Sequence, residues 1–295
     1  MMLAGILRDN GFDLAFQLLD AGAVPMAGET EPYHRLLQVF PASRLYAFEL
    51  DPAVCAELNR NALPGARFFP CALGRAEETR TLYRTRDPMS TSLYEPDPRY
   101  AEMFGRLDDM KLVATEPIET TPLDVFARRH ALPPLDFMKL DIQGAELDVL
   151  QGGAQAMHDA LLIVCETEFA PIYRGQPLFG DVDAWLRARG MMFHKFLGMA
   201  GRVAKPLAVH GRVDYPAQFL WSDAVFARDL FALDALPAER QLKLAVLFDI
   251  YESKDLALKI LRGYDVVHDD DLANIYWDAM RAEGKWGMAE GAGGT

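Results

Sequence analysis

Four carboxylates close short apolar segments of the chain, and this placement predicts a ligand site. The four are Asp20, Glu49, Asp141 and Glu166. If the apolar segments form parallel strands, their carboxyl ends meet at one edge of a sheet, which is where open α/β sheets bind ligands. Ionised carboxylates accept hydrogen bonds, so they suit ligands that carry hydroxyl donors. The sequence therefore predicts an acidic crevice along one edge of a sheet.

Glu49 and the turn after the first apolar segment favour a nucleoside ligand. The two oxygens of a carboxylate match the two hydroxyls of a ribose, and Gly22 lets the main chain approach a ligand closely. The turn reads Asp20-Ala21-Gly22-Ala23, without the GxGxxG pattern that seats a pyrophosphate, which argues against NAD and FAD. Taken alone, Glu49 is equally compatible with an ordinary solvated carboxylate.

The segment 141–146 carries the strongest local signal. It reads Asp-Ile-Gln-Gly-Ala-Glu, so an acid follows an apolar segment, and a glycine turn and a second acid then open a helix. Asp141 is expected to face the crevice, whereas Glu146 has a second explanation, because acids are favoured in the first turn of a helix. Lys139 is unusual within an apolar strand. We expect it to pair with Asp141 on the same strand face, as a functional or a structural ion pair.

The alternation of apolar runs with helical periods predicts an α/β fold with a parallel sheet. Strands are predicted near residues 16–20, 44–49, 66–73, 135–141, 161–166, 191–196 and 219–226, with a short β-prone run at 79–84. Pro70 lacks a main-chain donor and is expected near a strand end or a sheet edge. Residues 85–115 are expected to be irregular and to form a flap on the substrate side.

Helices are predicted between the strands and at the carboxyl end of the chain. They lie at 31–39, after the Asp51-Pro52 cap, after Glu146, at 181–189 and from Pro237 to Glu283. The chain is therefore divided into one domain over 1–235 and a helical appendage over 236–295. A flexible, glycine-rich tail is expected at the end.

The composition argues against several classes of protein. The chain has 295 residues, with 30 Lys and Arg against 43 Asp and Glu. Nucleic acids and anionic membranes require clustered cations, so neither is an expected partner. No segment has the roughly 20 apolar residues that span a bilayer, and no signal peptide is seen. Cys55, Cys71 and Cys165 include no CxxC pair and read as buried free thiols, so a cytoplasmic location is expected.

Several separated motifs resemble the FkbM family of methyltransferases. They are 137–146 with Leu150-Gln151-Gly152-Gly153, Tyr46-Ala47-Phe48-Glu49 with Asp51-Pro52, Ala72-Leu73-Gly74, Ser90-Thr91-Ser92-Leu93-Tyr94 and Thr121-Pro122-Leu123-Asp124. The motifs stand in the same order as in the family and span about residues 18–196. The first turn departs from most methyltransferases, since Val24-Pro25-Met26 stands in place of a longer glycine-rich loop.

The resemblance implies a methyltransferase of the Rossmann-like class I fold that uses S-adenosylmethionine. The fold would be a seven-stranded, mostly parallel sheet with helices on both faces. The acceptor would be a hydroxyl group of a small molecule, a lipid or a sugar. The residues expected to contact the cofactor are Asp20, Gly22, Glu49, Leu50, Ala72, Leu73 and Asp141. A non-catalytic protein of the same fold that binds S-adenosylmethionine or acts as a scaffold is the alternative, and homo-oligomer formation is left open.

Transfer to a hydroxyl requires a general base or a metal that lowers the hydroxyl pKa. The candidate catalytic residues are Asp141, Glu166, Glu168 and His194. Glu166 and Glu168 share one face of an extended segment, and with Asp141 they would suit a hard cation such as Mg²⁺. No spacing demands a metal, so none is expected, and solvated acids are the simpler interpretation of the two glutamates. His194 is also compatible with a structural histidine.

Overall fold

The computed structural model describes residues 1–22 and 31–287, which form two compact units. The larger unit contains residues 17–22 and 44–230, and the smaller contains 1–16, 31–43 and 231–287. Residues 1–16 and 31–43 thus group with the C-terminal helices, although the predicted division of the chain at residue 235 stays a prediction. The loop Val24-Pro25-Met26 and the predicted flexible tail lie outside the described residues.

The larger unit contains all of the described strands. In chain order they are β1 (Gln17–Ala21), β2 (Arg44–Glu49), β3 (Ala66–Pro70), β4 (Ala72–Gly74), β5 (Glu78–Thr85), β6 (Leu112–Pro122), β7 (Phe137–Leu140), β8 (Leu162–Glu168), β9 (Met191–Phe196), β10 (Ala200–Arg202) and β11 (Gln218–Arg228). The helices of this unit, numbered along the whole chain, are α3 (Pro52–Arg60), α4 (Pro98–Met103), α5 (Leu123–His130), α6 (Glu146–Gly152) and α7 (Phe179–Arg187).

The main sheet confirms the predicted Rossmann-like arrangement. Its order is β10-β11-β8-β7-β1-β2-β3, and the five strands from β8 to β3 are parallel to one another. From β1 the chain builds outward through β2 and β3, then returns to the other side of β1 with β7 and β8. The switch point between β1 and β7 is where ligands bind in this class of sheet.

The sheet has eight strands where seven were predicted, because one edge is divided. β11 runs antiparallel to β8, and its other side pairs with β9 near one end and with β10 near the other. β9 and β10 therefore share one edge position. At the opposite edge, β3 ends at Pro70, as the missing main-chain donor predicts.

A second sheet, of order β4-β6-β5, corrects the expectation for residues 85–115. This segment is not irregular throughout: it contains α4 and two 3-10 turns, and β6 begins at Leu112. β6 pairs antiparallel with β5 along most of its length. It lacks a sequence signal because most of its residues are exposed on both faces, so no apolar alternation marks it.

Local signals place the helices next to the strand ends. The Asp51 side chain accepts hydrogen bonds from the main-chain N–H groups of Ala53 and Val54, so it caps α3 as predicted. At the C-terminal end of α6, a Cβ on Gly152 would lie 2.2 Å from the Gly74 carbonyl oxygen. Gly152 therefore has a packing role besides ending the helix.

The described residues of the smaller unit form helices and connecting loops but no strand. It contains α1 (Leu3–Asp9), α2 (Arg35–Val39), α8 (Ala238–Ile250), α9 (Lys254–His268) and α10 (Leu272–Ala282), so the predicted helical stretch from 237 to 283 is three helices. The fully buried Asp249 accepts hydrogen bonds from the Leu3 N–H and the Tyr276 hydroxyl. None of the helices in residues 1–22 and 31–287 is long and apolar enough to cross a membrane.

Candidate functional site

A cavity of about 400 Å³ lies at the carboxyl ends of β1, β2 and β7. This volume falls within the range of small-molecule sites. Three residues that were predicted to bind a ligand line this cavity: Gly22 after β1, Glu49 at the end of β2 and Asp141 after β7. Leu50, Ala72 and Leu73 also line it. The structure therefore brings together six of the seven residues predicted to contact a cofactor.

Gly22 is required by a close approach within the protein itself. Its φ is +93°, and a Cβ built on it would lie 1.8 Å from the Asp141 carbonyl oxygen. The close approach of a ligand to this glycine stays a prediction. Within the protein, its nearest neighbour is the main chain after β7, so Gly22 brings together the two strand ends that flank the switch point.

Glu49 is held in place by the start of the next helix. Its Oε1 accepts a hydrogen bond of 2.8 Å from the Asp51 N–H. Burial raises the pKa of Glu49, and this hydrogen bond partly opposes the rise. Beside it the cavity wall is apolar, with Phe48, Leu50 and Leu73. A carboxylate next to an apolar wall suits a nucleoside, since the sugar donates hydrogen bonds while the base requires an apolar surface.

Asp141 forms the predicted ion pair with Lys139. Lys139 Nζ lies 3.1 Å from Asp141 Oδ2, and the lysine side chain is only 12% exposed. Burial alone would raise the pKa of Asp141, but the Lys139 ammonium and neighbouring hydrogen-bond donors lower it overall. Asp141 is therefore an ionised group at the cavity wall, where it can stabilise positive charge.

Gln143 lies between two acids, a role that the sequence did not reveal. Its Nε2 donates to Glu166 Oε2 at 2.6 Å and to Asp141 Oδ1 at 3.1 Å. Gln143 also lines the cavity, whereas Glu166 lies behind it and is not among the lining residues. The sequence pointed to segment 141–146 as a whole, but nothing in it distinguished this glutamine from a turn residue.

Glu166 and Glu168 are not solvated acids, which corrects the simpler interpretation of the pair. Glu168 is 2% exposed and Glu166 is partly buried. Burial raises the pKa of both groups well above the usual range, and the nearby charges of Asp141 and Glu146 raise them further. The fold therefore favours the protonated form of both acids, neither of which lines the cavity.

Glu146 closes the loop that carries Asp141. Its Oε1 accepts hydrogen bonds from the N–H groups of Ile142 at 2.8 Å and Gly144 at 3.2 Å. The side chain is 3% exposed, and burial raises its pKa to about 8. These contacts favour a structural role for Glu146 in shaping the turn between β7 and α6.

Besides Glu166 and Glu168, two predicted site residues do not line the cavity. Asp20 is 4% exposed on β1, opposite Lys139 in the strand ladder, and is not among the lining residues. His194 lies on β9, which is separated from β7 by β8 and β11, and it does not line the cavity either. The structure therefore separates His194 from the other three candidate catalytic residues, which adjoin one another.

The predicted flap supplies part of the cavity wall. Met89, Thr91 and Ser92 line it. Ser92 is fully buried; its Oγ donates to the Gln143 carbonyl oxygen at 2.6 Å and accepts from the Tyr94 N–H at 2.9 Å. Ser92 thus caps a turn and connects this loop to the segment that carries Asp141.

The candidate metal site stays a matter of prediction. In residues 1–22 and 31–287 no group of three or more His, Cys, Asp or Glu side chains is arranged to hold a metal ion. Cys55 and Cys165 are buried free thiols and Cys71 is a partly buried one, as the missing CxxC pattern suggested.

The family model described as the methyltransferase FkbM domain matches residues 20–193, which is more than half of the chain. Among characterised proteins, the chain is similar to 2-O-methyltransferase NoeI of Sinorhizobium fredii, with 26% identity over 50% of this chain and 64% of that protein. It is also similar to Methyltransferase 1 of Beauveria bassiana, with 28% identity over 38% of this chain and 50% of that protein. The chain thus spans less than two thirds of either relative.

Among solved structures, the precorrin-6y C5,15-methyltransferase of Geobacter metallireducens overlaps 77% of this chain and 86% of its own, with 12% identity and a TM-score of 0.35. The strand order of the main sheet, rather than this overlap, identifies the fold.

Proposed function

Because the chain belongs to the FkbM family of methyltransferases, we propose that it transfers a methyl group from S-adenosylmethionine to a hydroxyl group. The observation that carries the proposal is the meeting of Glu49 and Asp141 in one cavity of about 400 Å³. The two carboxylates come from strands on opposite sides of β1. Each suits a different part of one ligand that carries both a ribose and a positive charge.

The residues present fit the nucleoside part of this cofactor. Glu49 would accept hydrogen bonds from the ribose hydroxyls, with one of its oxygens already oriented by the Asp51 N–H. Leu50, Ala72 and Leu73 line the cavity and offer an apolar surface for the adenine. The first turn has no pyrophosphate-binding glycine pattern, and a nucleoside that ends in an amino acid requires none.

Asp141 would serve the charged part of the reaction. When bound, S-adenosylmethionine supplies an electrophilic methyl group on a positively charged sulfur. The ionised Asp141, paired with Lys139, would attract that positive charge and orient it toward the acceptor. Its lowered pKa makes Asp141 a weak base. Glu166, with a raised pKa, is the better proton acceptor of the two once it is ionised.

The family and one relative support our choice of acceptor class. NoeI is named a 2-O-methyltransferase, which favours a hydroxyl acceptor here as well. We propose that the acceptor is a small molecule, a lipid or a sugar that carries this hydroxyl. We also propose that the enzyme is cytoplasmic. The chain carries a net charge of −13, which disfavours nucleic acid as the acceptor.

Isothermal titration calorimetry tests the cofactor proposal directly. S-adenosylhomocysteine, the product form of the cofactor, is expected to bind, whereas NAD is expected to give no heat. A labelled-methyl assay against hydroxylated sugars and lipids then tests turnover. Binding without turnover on any acceptor would favour the non-catalytic alternative, and the absence of binding would contradict the proposal.

A further inference from the structure

Gln143, which has no assigned role in methyl transfer, lies at the centre of a hydrogen-bond network behind the cavity. Its Nε2 lies 2.6 Å from Glu166 Oε2 and 3.1 Å from Asp141 Oδ1, and its Oε1 lies 2.9 Å from the Tyr173 hydroxyl. A carboxamide nitrogen carries two N–H donors, and the carboxamide oxygen accepts. One side chain therefore serves an acceptor on each of two acids while its own oxygen is bound by Tyr173.

Tyr173 contacts the carboxamide oxygen of Gln143 on the side away from the two acids. Its side chain is fully buried in an apolar cluster with Phe104 and Leu220, so its hydroxyl has a defined position. A carboxamide turned over would present its oxygen to two carboxyl groups and its nitrogen to the hydroxyl. Asp141 would then lose a hydrogen-bond donor in a partly buried setting, which is costly. The orientation with nitrogen toward the acids is the favoured one.

The main chain at Gln143 is held as firmly as its side chain. Its φ is 59°, in the left-handed region that residues other than glycine rarely adopt. The Ser92 hydroxyl donates to the Gln143 carbonyl oxygen at 2.6 Å. The Tyr173 hydroxyl also lies 3.0 Å from the Ser90 carbonyl oxygen. The loop that lines the cavity is therefore connected to Asp141 and Glu166 through Gln143 and Tyr173.

The surroundings of the two acids shift their pKa values in opposite directions. Asp141 has a donor at each oxygen, Lys139 Nζ at Oδ2 and Gln143 Nε2 at Oδ1, and such donors favour the ionised form. For Glu166, burial and the charge of Asp141 raise the pKa, so this acid favours its protonated form. Gln143 thus bridges an acid whose pKa is lowered and an acid whose pKa is raised, and the two acids also share a side-chain hydrogen bond.

We propose that Gln143 is a positioning residue: held by Tyr173, it fixes the Asp141 carboxylate at the cavity wall and bridges it to Glu166. The part that Asp141 plays in methyl transfer rests on the proposed function. The network itself involves only residues of this chain, so it is measurable in the protein without a ligand.

The test replaces the donors of Gln143 and follows the titration of Asp141. The charged and titratable groups around Asp141 come from several elements: Asp20 on β1, Lys139 on β7, Glu146 on α6, Glu166 and Glu168 on β8, and Tyr173 in the loop after β8. Isotope-edited infrared absorbance reports carboxylate formation in the protein without a ligand. The Asp141 signal is assigned by its loss in Asp141→Asn.

Gln143→Glu keeps the size of the side chain but replaces two donors with acceptors. We expect Asp141 to titrate about one pH unit higher, since one charge-assisted hydrogen bond is lost and a like charge is added. Tyr173→Phe removes only the hydroxyl and is expected to give a smaller shift in the same direction. The matched control is Gln155→Glu at an exposed position, which adds the same charge and leaves the titration of Asp141 unchanged.

A methyl-transfer assay adds a second readout. The acid limb of the pH profile of kcat/KM is expected to move with the Asp141 titration in each variant. An unchanged Asp141 titration in both Gln143→Glu and Tyr173→Phe would overturn the proposal. If Gln143→Glu does not fold, Tyr173→Phe decides the matter alone. If S-adenosylhomocysteine does not bind the wild-type protein, the proposed function fails, whereas the infrared titration still decides the role of Gln143.

Discussion

At the scale of single residues, the site depends on carboxyl groups of similar chemistry in different surroundings. Asp141 is ionised beside an ammonium group, whereas Glu146 and Glu168 are buried and have raised pKa values. Their environment, rather than residue type, determines what each can do. The strand-end acids were recognisable in the sequence but this difference between them was not, because burial and charge partners arise only from the fold.

Replacing Glu49 tests the ribose contact. Glu49→Ala removes the carboxylate that faces the cavity, so we expect the Kd of S-adenosylhomocysteine to rise about ten-fold or more, the equivalent of one hydrogen bond to a charged group. Calorimetry measures this change. Glu57→Ala, an exposed position on α3, is the matched control and is expected to bind as the wild type does. Wild-type affinity in Glu49→Ala would remove the ribose assignment.

Glu146 gives a prediction for the pH dependence of stability. Its pKa is raised from 4.5 to about 8 in the folded protein, so between these values the folded state binds more protons than the unfolded state. Its contribution to the free energy of unfolding therefore falls as pH rises from about 4.5 to about 8.

Glu146→Gln keeps an oxygen for the N–H groups of Ile142 and Gly144 but removes the ionisation. We expect the Tm of this variant to fall less than that of the wild type between pH 5 and about pH 8. Thermal unfolding monitored by circular dichroism provides the measurement, with Glu102→Gln at an exposed position as the control. Parallel curves for Glu146→Gln and the wild type would show that the group ionises normally in the folded protein.

At the scale of elements, the ends of β1 and β7 are joined by a contact that admits no side chain. Gly22→Ala would place a Cβ 1.8 Å from the Asp141 carbonyl oxygen at a φ of +93°. We expect a large loss of Tm together with weakened binding of S-adenosylhomocysteine, since the displaced segment carries Asp141.

Gly180→Ala on α7 is the matched control for Gly22→Ala, because a Cβ there meets no atom within 4 Å. That variant is expected to keep or slightly raise the Tm, since alanine is the better helix former by about 0.5–1 kcal/mol. Equal effects of the two substitutions in thermal unfolding would show that the contact between the two strand ends is unimportant.

The strands differ in how clearly the sequence predicts them. β1, β2, β7 and β8 were predictable because each is a short apolar run between turn residues. β6 was not, because its exposed faces leave no alternation. Glu49 and Asp141 were identified as site candidates from their position after strands. Gln143 was missed because its contacts come from Glu166 and Tyr173, which are distant in sequence.

At the scale of the whole molecule, the cavity belongs to one of the two compact units. Its described lining residues lie within 17–22 and 44–230. Binding of S-adenosylhomocysteine is therefore expected to slow amide hydrogen exchange at the carboxyl ends of β1, β2 and β7. Hydrogen exchange followed by mass spectrometry measures this change. Comparable protection in α9 and α10, or none at the strand ends, would contradict the assignment of the site.

The two margins of the main sheet bear on how the chain behaves at high concentration. A long unpaired strand at a sheet edge invites pairing with another molecule, which leads to aggregation. Here one margin is shared by β9 and β10, neither longer than six residues, and β11 shifts register against both. The other margin, β3, is five residues long and ends at a proline. Both borders are thus poor templates for a foreign strand, which protects a wide sheet from growing into a fibril.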